Sequence, residues 1–132
     1  MLHKLNIKTH SKVELIDITS RIRELLKSEK IGNGSIQIHV PHTTAAVTIN
    51  ENADPAVKED IIKEINKIIP FSDNYSHREG NSAAHLKSSL FGVDQNLLID
   101  NNELVLGTWQ AVYFCEFDGP RTRNIYIKFK KD

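Results

Sequence analysis

The densest group of side chains that could do chemistry lies in residues 42–54 of this 132-residue chain. A histidine, which can bind a metal ion or exchange a proton, is followed directly by two hydroxyl groups. A short β-prone segment then leads to an amide and two carboxylates, so polar groups stand at both ends of one strand. We expect this segment to frame an active site. The polar residues that we expect to take part are His42, Thr43, Thr44, Asn50, Glu51 and Asp54.

Two later stretches, residues 77–87 and 107–121, are expected to close that site. Asn81 and His85 are four residues apart and share one face of a helix that begins this early. The turn that starts at Asp118 needs its Asp, Gly and Pro but does not need Arg121. The planar guanidinium fork suits a phosphate or a carboxylate, so we expect Arg121 to bind an anion.

Three histidines, His42, His77 and His85, are candidate metal ligands. Three imidazoles with an open fourth position are the pattern of a catalytic zinc site. Glu51 would then fix a histidine tautomer or act as a general base on a bound water. The alternative is that His77 is a solvated loop residue and His85 bonds a neighbouring backbone carbonyl. In the same way, Asp54 has an ordinary role as a helix N-cap.

Composition excludes several classes of protein. The 17 basic and 17 acidic residues cancel, and no basic stripe of the kind that binds nucleic acid is present. No apolar run approaches the roughly 20 residues that span a membrane. The first residues do not form a signal peptide, and the single cysteine, Cys115, excludes an intrachain disulfide. We therefore expect a soluble cytoplasmic protein.

The periodicity of apolar residues predicts an α+β fold, a single compact domain over residues 1–132 with a mainly antiparallel sheet or sandwich and about three helices. Trp109 is expected in the core and Gln110, its neighbour on the strand, on the outside. Turns at 100–103 and 118–121 predict two hairpins. Thr19 or Ser20 is expected to cap the first helix with its hydroxyl. The predicted helices span 19–30, 55–69 and 82–90, and the predicted strands span 13–18, 36–40, 47–49, 97–99, 104–106, 109–117 and 123–129.

At this point a set of motifs, spread in order along nearly the whole chain, resembles the YjbQ-like family of secondary thiamine-phosphate synthases. The motifs are His42-Thr43-Thr44, Asn50-Glu51-Asn52, Asp54-Pro55, His77, Gly80-Asn81, Ala84-His85-Leu86, Leu106-Gly107-Thr108-Trp109-Gln110 and Asp118-Gly119-Pro120-Arg121.

The resemblance implies a homotrimer with polar pockets near the subunit boundaries. It implies a reaction that joins a pyrimidine methyl diphosphate to a thiazole phosphate and releases diphosphate. A divalent metal, zinc or magnesium, and Arg121 would neutralise the leaving group. Two other functions stay open: a metal-dependent hydrolase with Glu51 as its base, and a non-enzymatic trimer that binds a small anion. The implied site residues are His42, Thr43, Thr44, Asn50, Glu51, Asp54, His77, Asn81, His85, Gln110, Asp118 and Arg121.

The trimer can be tested directly. In a closed three-fold ring, one heterologous contact is repeated between three chains. Sedimentation of the purified protein should therefore give three times the mass of one chain. A mass of one chain across a wide range of concentrations would contradict this prediction.

Overall fold

The eight strands form two antiparallel sheets, and the three helices pack against these sheets. The computed structural model describes residues 1–132. The helices are α1 (Thr19–Glu29), α2 (Pro55–Ile68) and α3 (Ser82–Phe91). The strands are β1 (Leu2–Lys8), β2 (Glu14–Asp17), β3 (Gly34–His39), β4 (Ala45–Glu51), β5 (Asp94–Asp100), β6 (Glu103–Leu104), β7 (Gln110–Glu116) and β8 (Thr122–Lys131).

The first core lies between the two sheets. The larger sheet has the order β1-β8-β3-β5-β6 and the smaller one the order β2-β7-β4. Alternate residues of the larger sheet point inward, for example Ile36 and Ile38 on β3, and both are fully buried. They meet Val47 and Phe114 from the smaller sheet and Ile22 from α1. This packing confirms the predicted α+β fold and its sandwich-like arrangement.

A second core covers the opposite face of the smaller sheet. There Ala46, Tyr113 and Cys115 pack with Ala84 of α3, and Ile61 of α2 lies against them. As a result, β7 is covered on both faces, and every residue from 111 to 116 is buried. None of the three helices is long and apolar enough to cross a membrane.

All seven predicted strands and all three predicted helices are present, within a few residues of the expected bounds. The sequence analysis missed β1. Its alternation is visible, because His3, Leu5 and Ile7 face inward while Lys4 and Asn6 are exposed. The turn at 100–103 is confirmed: Asn101 and Asn102 adopt positive φ values of 50° and 60°, which asparagine tolerates.

The second predicted hairpin is wrong. β7 and β8 are consecutive in the chain but lie in different sheets, and β8 pairs with β1 and β3. Residues 117–121 therefore carry the chain from one sheet to the other. This connection runs tightly against the residues that precede β2. A Cβ atom at Gly119 would lie 2.3 Å from the Ser11 carbonyl oxygen, so only glycine fits there.

A buried ion pair spans the change of sheet. Glu116 ends β7, and its carboxylate accepts hydrogen bonds from Nε and Nη2 of Arg123 at the start of β8. The exposed fraction is 3% for the Arg123 side chain and 0% for that of Glu116. Thr9 donates its hydroxyl to the same carboxylate over 2.8 Å. Arg123 also donates to Oγ1 of Thr44 over 2.9 Å, so four segments are tied together.

Two local predictions at helix and strand ends are wrong, and one is confirmed. Neither Thr19 nor Ser20 caps α1; Thr19 is its first residue and donates both its N–H and its hydroxyl to Asp17. Trp109 is 60% exposed because it precedes β7 and lies outside the doubly covered part of the smaller sheet. Asp54 caps α2 as predicted, and its carboxylate accepts the Ala56 N–H over 2.9 Å.

The Glu116–Arg123 pair generates a stability prediction. Glu116→Gln keeps the shape but leaves the Arg123 charge buried without a counter-charge, which costs about 3–5 kcal/mol of unfolding free energy. Urea unfolding measures this cost against Glu103→Gln, an exposed change on β6. Equal stability of the two variants would contradict a structural role for the pair.

Candidate active site

A polar cavity of about 1330 Å³ opens at the end of the molecule where the ion pair joins the two sheets. Most of its wall comes from four parts of the chain: the connection from β3 to β4, residues 79–81, α3, and the link from β7 to β8. Lys12, before β2, and Phe71, after α2, also line it. The polar and charged residues that line it are Lys12, His39, His42, Thr43, Thr44, Glu79, Asn81, His85, Ser88, Ser89, Asp118, Arg121 and Arg123.

His42 lies just beyond Pro41, after β3 ends, as the sequence predicts. Its ring nitrogen Nε2 accepts a hydrogen bond from the backbone N–H of Asn124 over 2.9 Å. A nitrogen that accepts carries no proton, so in the neutral ring the proton is on Nδ1. Burial, followed by the charge of Arg123, lowers the pKa of His42 and favours this neutral form. His42 therefore brings an N–H donor to the cavity rather than a metal-binding lone pair.

The two threonines after His42 differ in their surroundings. Thr44 is buried, and both its hydroxyl and its carbonyl oxygen accept from Nη2 of Arg123. Its contacts make it part of the frame that supports the cavity. Thr43 is partly exposed in the cavity wall, so its hydroxyl is accessible to a ligand.

One face of α3 lines the cavity, as the spacing of Asn81 and His85 predicts. The helix is fixed on β4 by the Ser88 hydroxyl, which donates to the Ala45 carbonyl over 2.6 Å. Asn81 is at the N-cap position but makes no capping hydrogen bond; its Nδ2 instead donates to Oδ2 of Asp118 over 3.0 Å. This contact connects the start of α3 to the link between the two sheets.

Arg121 is held in place by Asp118. Its Nε donates to the Asp118 carbonyl over 2.9 Å and its Nη2 to Oδ2 of the same residue over 3.0 Å. Nη1 makes no hydrogen bond within the chain, and the side chain is 49% exposed. The Nε and Nη2 contacts with Asp118 thus orient the guanidinium group, and Nη1 is available to a ligand.

The three candidate metal ligands do not meet within one chain. The rings of His77 and His85 lie edge to face with centroids 5.4 Å apart. His77, however, lines a separate pocket of about 420 Å³, and only His85 borders both pockets. No three His, Cys, Asp or Glu side chains of the chain come together as a metal site. Because Nε2 of His42 is also engaged, the residues of one chain do not fit a three-histidine zinc site.

Three other candidates, Asn50, Glu51 and Gln110, lie away from the cavity. Glu51 pairs with Gln110 at one end of β4 and β7, whereas Ala45 pairs with Glu116 at the cavity end. Six residues of strand separate the two ends by about 20 Å. Gln110 accepts the Gly107 N–H over 2.8 Å, and Asn50 accepts the Glu51 N–H over 2.7 Å. Within one chain, Glu51 cannot act on a ligand in this cavity.

Sequence reasoning missed several residues of the site. Glu116 lies just before the 118–121 motif and Arg123 just after it. Their position beside this motif was the one sequence signal that could have identified them. His39 falls on the polar phase of the predicted strand 36–40, yet it lines the cavity, and its Nδ1 lies 2.5 Å from Oδ1 of Asp94 across the strands. Lys12 carries no local signal, since only the fold brings it to the cavity.

Comparisons with known proteins agree with the fold and the motifs. The UPF0047 YjbQ-like family model matches residues 3–132. The YugU protein of Bacillus subtilis is 50% identical over 129 residues, covering 97% of this chain and 98% of the relative. A UPF0047 protein of Methanocaldococcus jannaschii is 51% identical over 132 residues, covering 100% of this chain and 96% of the relative.

Solved structures give the same result. A YjbQ/UPF0047 family protein of Clostridium acetobutylicum superposes with a TM-score of 0.95 at 44% identity, covering 97% of this chain and 99% of that one. Fold and motifs define a two-sheet α+β protein with a polar cavity where the sheets join. The chain belongs to the UPF0047 YjbQ-like family.

The state of His42 can be measured. Because its folded pKa lies below the ordinary 6.5, the unfolded chain binds the proton more readily, and stability is lost as pH falls through 6.5. Urea midpoints should drop between pH 7.5 and 5.5, and less steeply in His42→Gln. Long-range nitrogen–proton spectra should show the Nδ1–H tautomer at pH 7.5; the Nε2–H tautomer would contradict this assignment.

Proposed function

We propose that the cavity binds a small phosphorylated substrate and that the chain is a transferase of the thiamine-phosphate synthase type. One observation carries the proposal: a guanidinium with a free edge, Arg121, and an N–H donor, His42, line the same polar cavity. Both are donors that suit phosphate oxygens. The volume of about 1330 Å³ exceeds that of an ordinary single-ligand site and leaves room for two small substrates.

The proposed reaction needs charge stabilisation more than it needs a covalent nucleophile. The bond between the pyrimidine methylene carbon and the diphosphate oxygen breaks, and its electron pair leaves with diphosphate. The thiazole nitrogen then uses its lone pair to form the new C–N bond. Arg121 and the His42 N–H would stabilise the negative charge that develops on the leaving group. The walls of the cavity would hold the two reactants together and limit attack by water.

A divalent metal, zinc or magnesium, remains a prediction from the family resemblance. When bound, such an ion would neutralise diphosphate oxygens. The side chains of one subunit do not supply a three-histidine set for it, so we derive no step through it. Metal analysis of the purified protein tests this part of the proposal separately from catalysis.

The alternatives make different structural demands. A hydrolase with Glu51 as base needs the Glu51 end of one subunit to meet the cavity of another, which only an assembly such as the proposed homotrimer provides. A non-enzymatic anion-binding protein needs the cavity but no reaction. Both the synthase function and the anion-binding function would use the cavity described above.

The synthase proposal is tested with the two precursors. The protein, at high concentration, should form thiamine phosphate and diphosphate, detected by chromatography. Arg121→Lys keeps the charge but loses the planar fork, so the rate should fall about tenfold or more. The control is Arg21→Lys, an exposed arginine of α1 that does not line the cavity.

Two results would contradict the proposal. If no thiamine phosphate forms even at high protein concentration, the transferase function is wrong and anion binding alone survives. If Arg121→Lys and Arg21→Lys both match the unsubstituted protein in rate and affinity, Arg121 has no part in the chemistry.

A further inference from the structure

A fully buried lysine lies behind one wall of the cavity. Lys87 is on α3, between the cavity-lining residues His85 and Ser88, and its exposed fraction is 0%. Its Nζ donates a hydrogen bond to Oδ1 of Asn66 on α2 over 2.7 Å. A buried ammonium group is expensive to desolvate, so its surroundings must compensate for the cost.

The other contact of the ammonium group is an aromatic ring in the cavity wall. Nζ of Lys87 lies 3.6 Å from the ring centroid of Phe71. Nζ of Lys12 lies 4.0 Å from the same centroid, and both Lys12 and Phe71 line the cavity. Two positive charges therefore share one ring at the edge of the substrate space.

No carboxylate balances this pair of lysines. None of the ion pairs of the chain includes Lys12 or Lys87. Burial, followed by the charge of Lys12, lowers the pKa of Lys87 to about 8. The acidic residues that line the cavity are Glu79 and Asp118, and the Glu79 carboxylate lies 3.7 Å from Nε2 of His77.

Positive charge exceeds negative charge in this part of the cavity. The backbone carbonyl of Lys12 accepts the Gly119 N–H over 3.1 Å, so Lys12 is next to the link that carries Asp118 and Arg121. Asp118 is paired with Arg121 and neutralises it. Lys12 and Lys87 carry about two positive charges that no carboxylate compensates. This part of the cavity therefore suits an anion with more than one negative charge.

We propose that Lys12 and Lys87, whose ammonium groups both contact the Phe71 ring, form a subsite for a diphosphate group. Lys12 contacts the anion directly, and Lys87 is a positioning residue that raises the local potential through the ring. The inference rests on the proposed function, because it names the group that the phosphate-binding cavity takes. It selects a diphosphate over a monophosphate by charge.

The consequence is a thermodynamic linkage. An anion in the subsite stabilises the ammonium form of Lys87, so binding raises its pKa from about 8. By the same linkage, diphosphate affinity is greatest when Lys87 is protonated and falls as pH rises above its free value. A lysine that only pins α3 to Asn66 would show neither effect.

The experiment uses inorganic diphosphate and the full-length protein. Lysine side-chain carbon–nitrogen spectra follow the titration of Lys87 with and without saturating diphosphate, and calorimetry gives the affinities for diphosphate and monophosphate. We expect the pKa of Lys87 to rise on binding by about one unit, which equals a tenfold coupling. We expect diphosphate to bind at least about tenfold more tightly than monophosphate.

Lys12→Gln supplies a variant that changes an exposed side chain and keeps Lys87 intact. It should raise the pKa of Lys87 in the free protein, since a like charge is removed, and weaken diphosphate binding about tenfold. The control is Lys128→Gln, an exposed lysine of β8 outside the cavity.

The outcomes separate the subsite from the proposed function. If diphosphate binds but leaves the pKa of Lys87 unchanged and binds Lys12→Gln as well as it binds the control, the subsite is overturned while the cavity function stands. If neither diphosphate nor monophosphate binds the unsubstituted protein, both proposals fail.

Discussion

The buried pair of Glu116 and Arg123 is the interaction on which the site depends. Two charges removed from water must satisfy each other, and they do so here with help from Thr9 and Thr44. The four residues come from the ends of β1, β7 and β8 and from the approach to β4. Their mutual satisfaction fixes how the two sheets meet at this end of the molecule.

The cavity follows from that junction. One sheet delivers His42 after β3, and the change of sheet delivers Arg121, while α3 closes the wall through its hydrogen bond from Ser88 to β4. Polar groups can remain here because the apolar cores lie between the sheets and under the helices, not at their shared end. The same junction brings Lys12 to the cavity, although no local sequence pattern marks it.

Periodicity predicted the elements well, because helices and half-buried strands repeat at their own spacing. Periodicity does not show which strands pair: β8 leaves its chain neighbour β7 for the other sheet, so the hairpin predicted at 118–121 is wrong. Motifs predicted His42, Asn81 and Arg121 in one place, which the structure shows. They also grouped Glu51 with these residues, although an extended strand between residues 45 and 51 holds its two ends about 20 Å apart.

A crystal structure with inorganic diphosphate bound tests the central claim most directly. The account predicts the anion in the cavity, within hydrogen-bond distance of the free edge of Arg121 and of Nδ1 of His42, with the Lys12 ammonium turned toward it. Diphosphate found instead at the end of β4 that carries Glu51 and Gln110, with this cavity containing only water, would contradict the account.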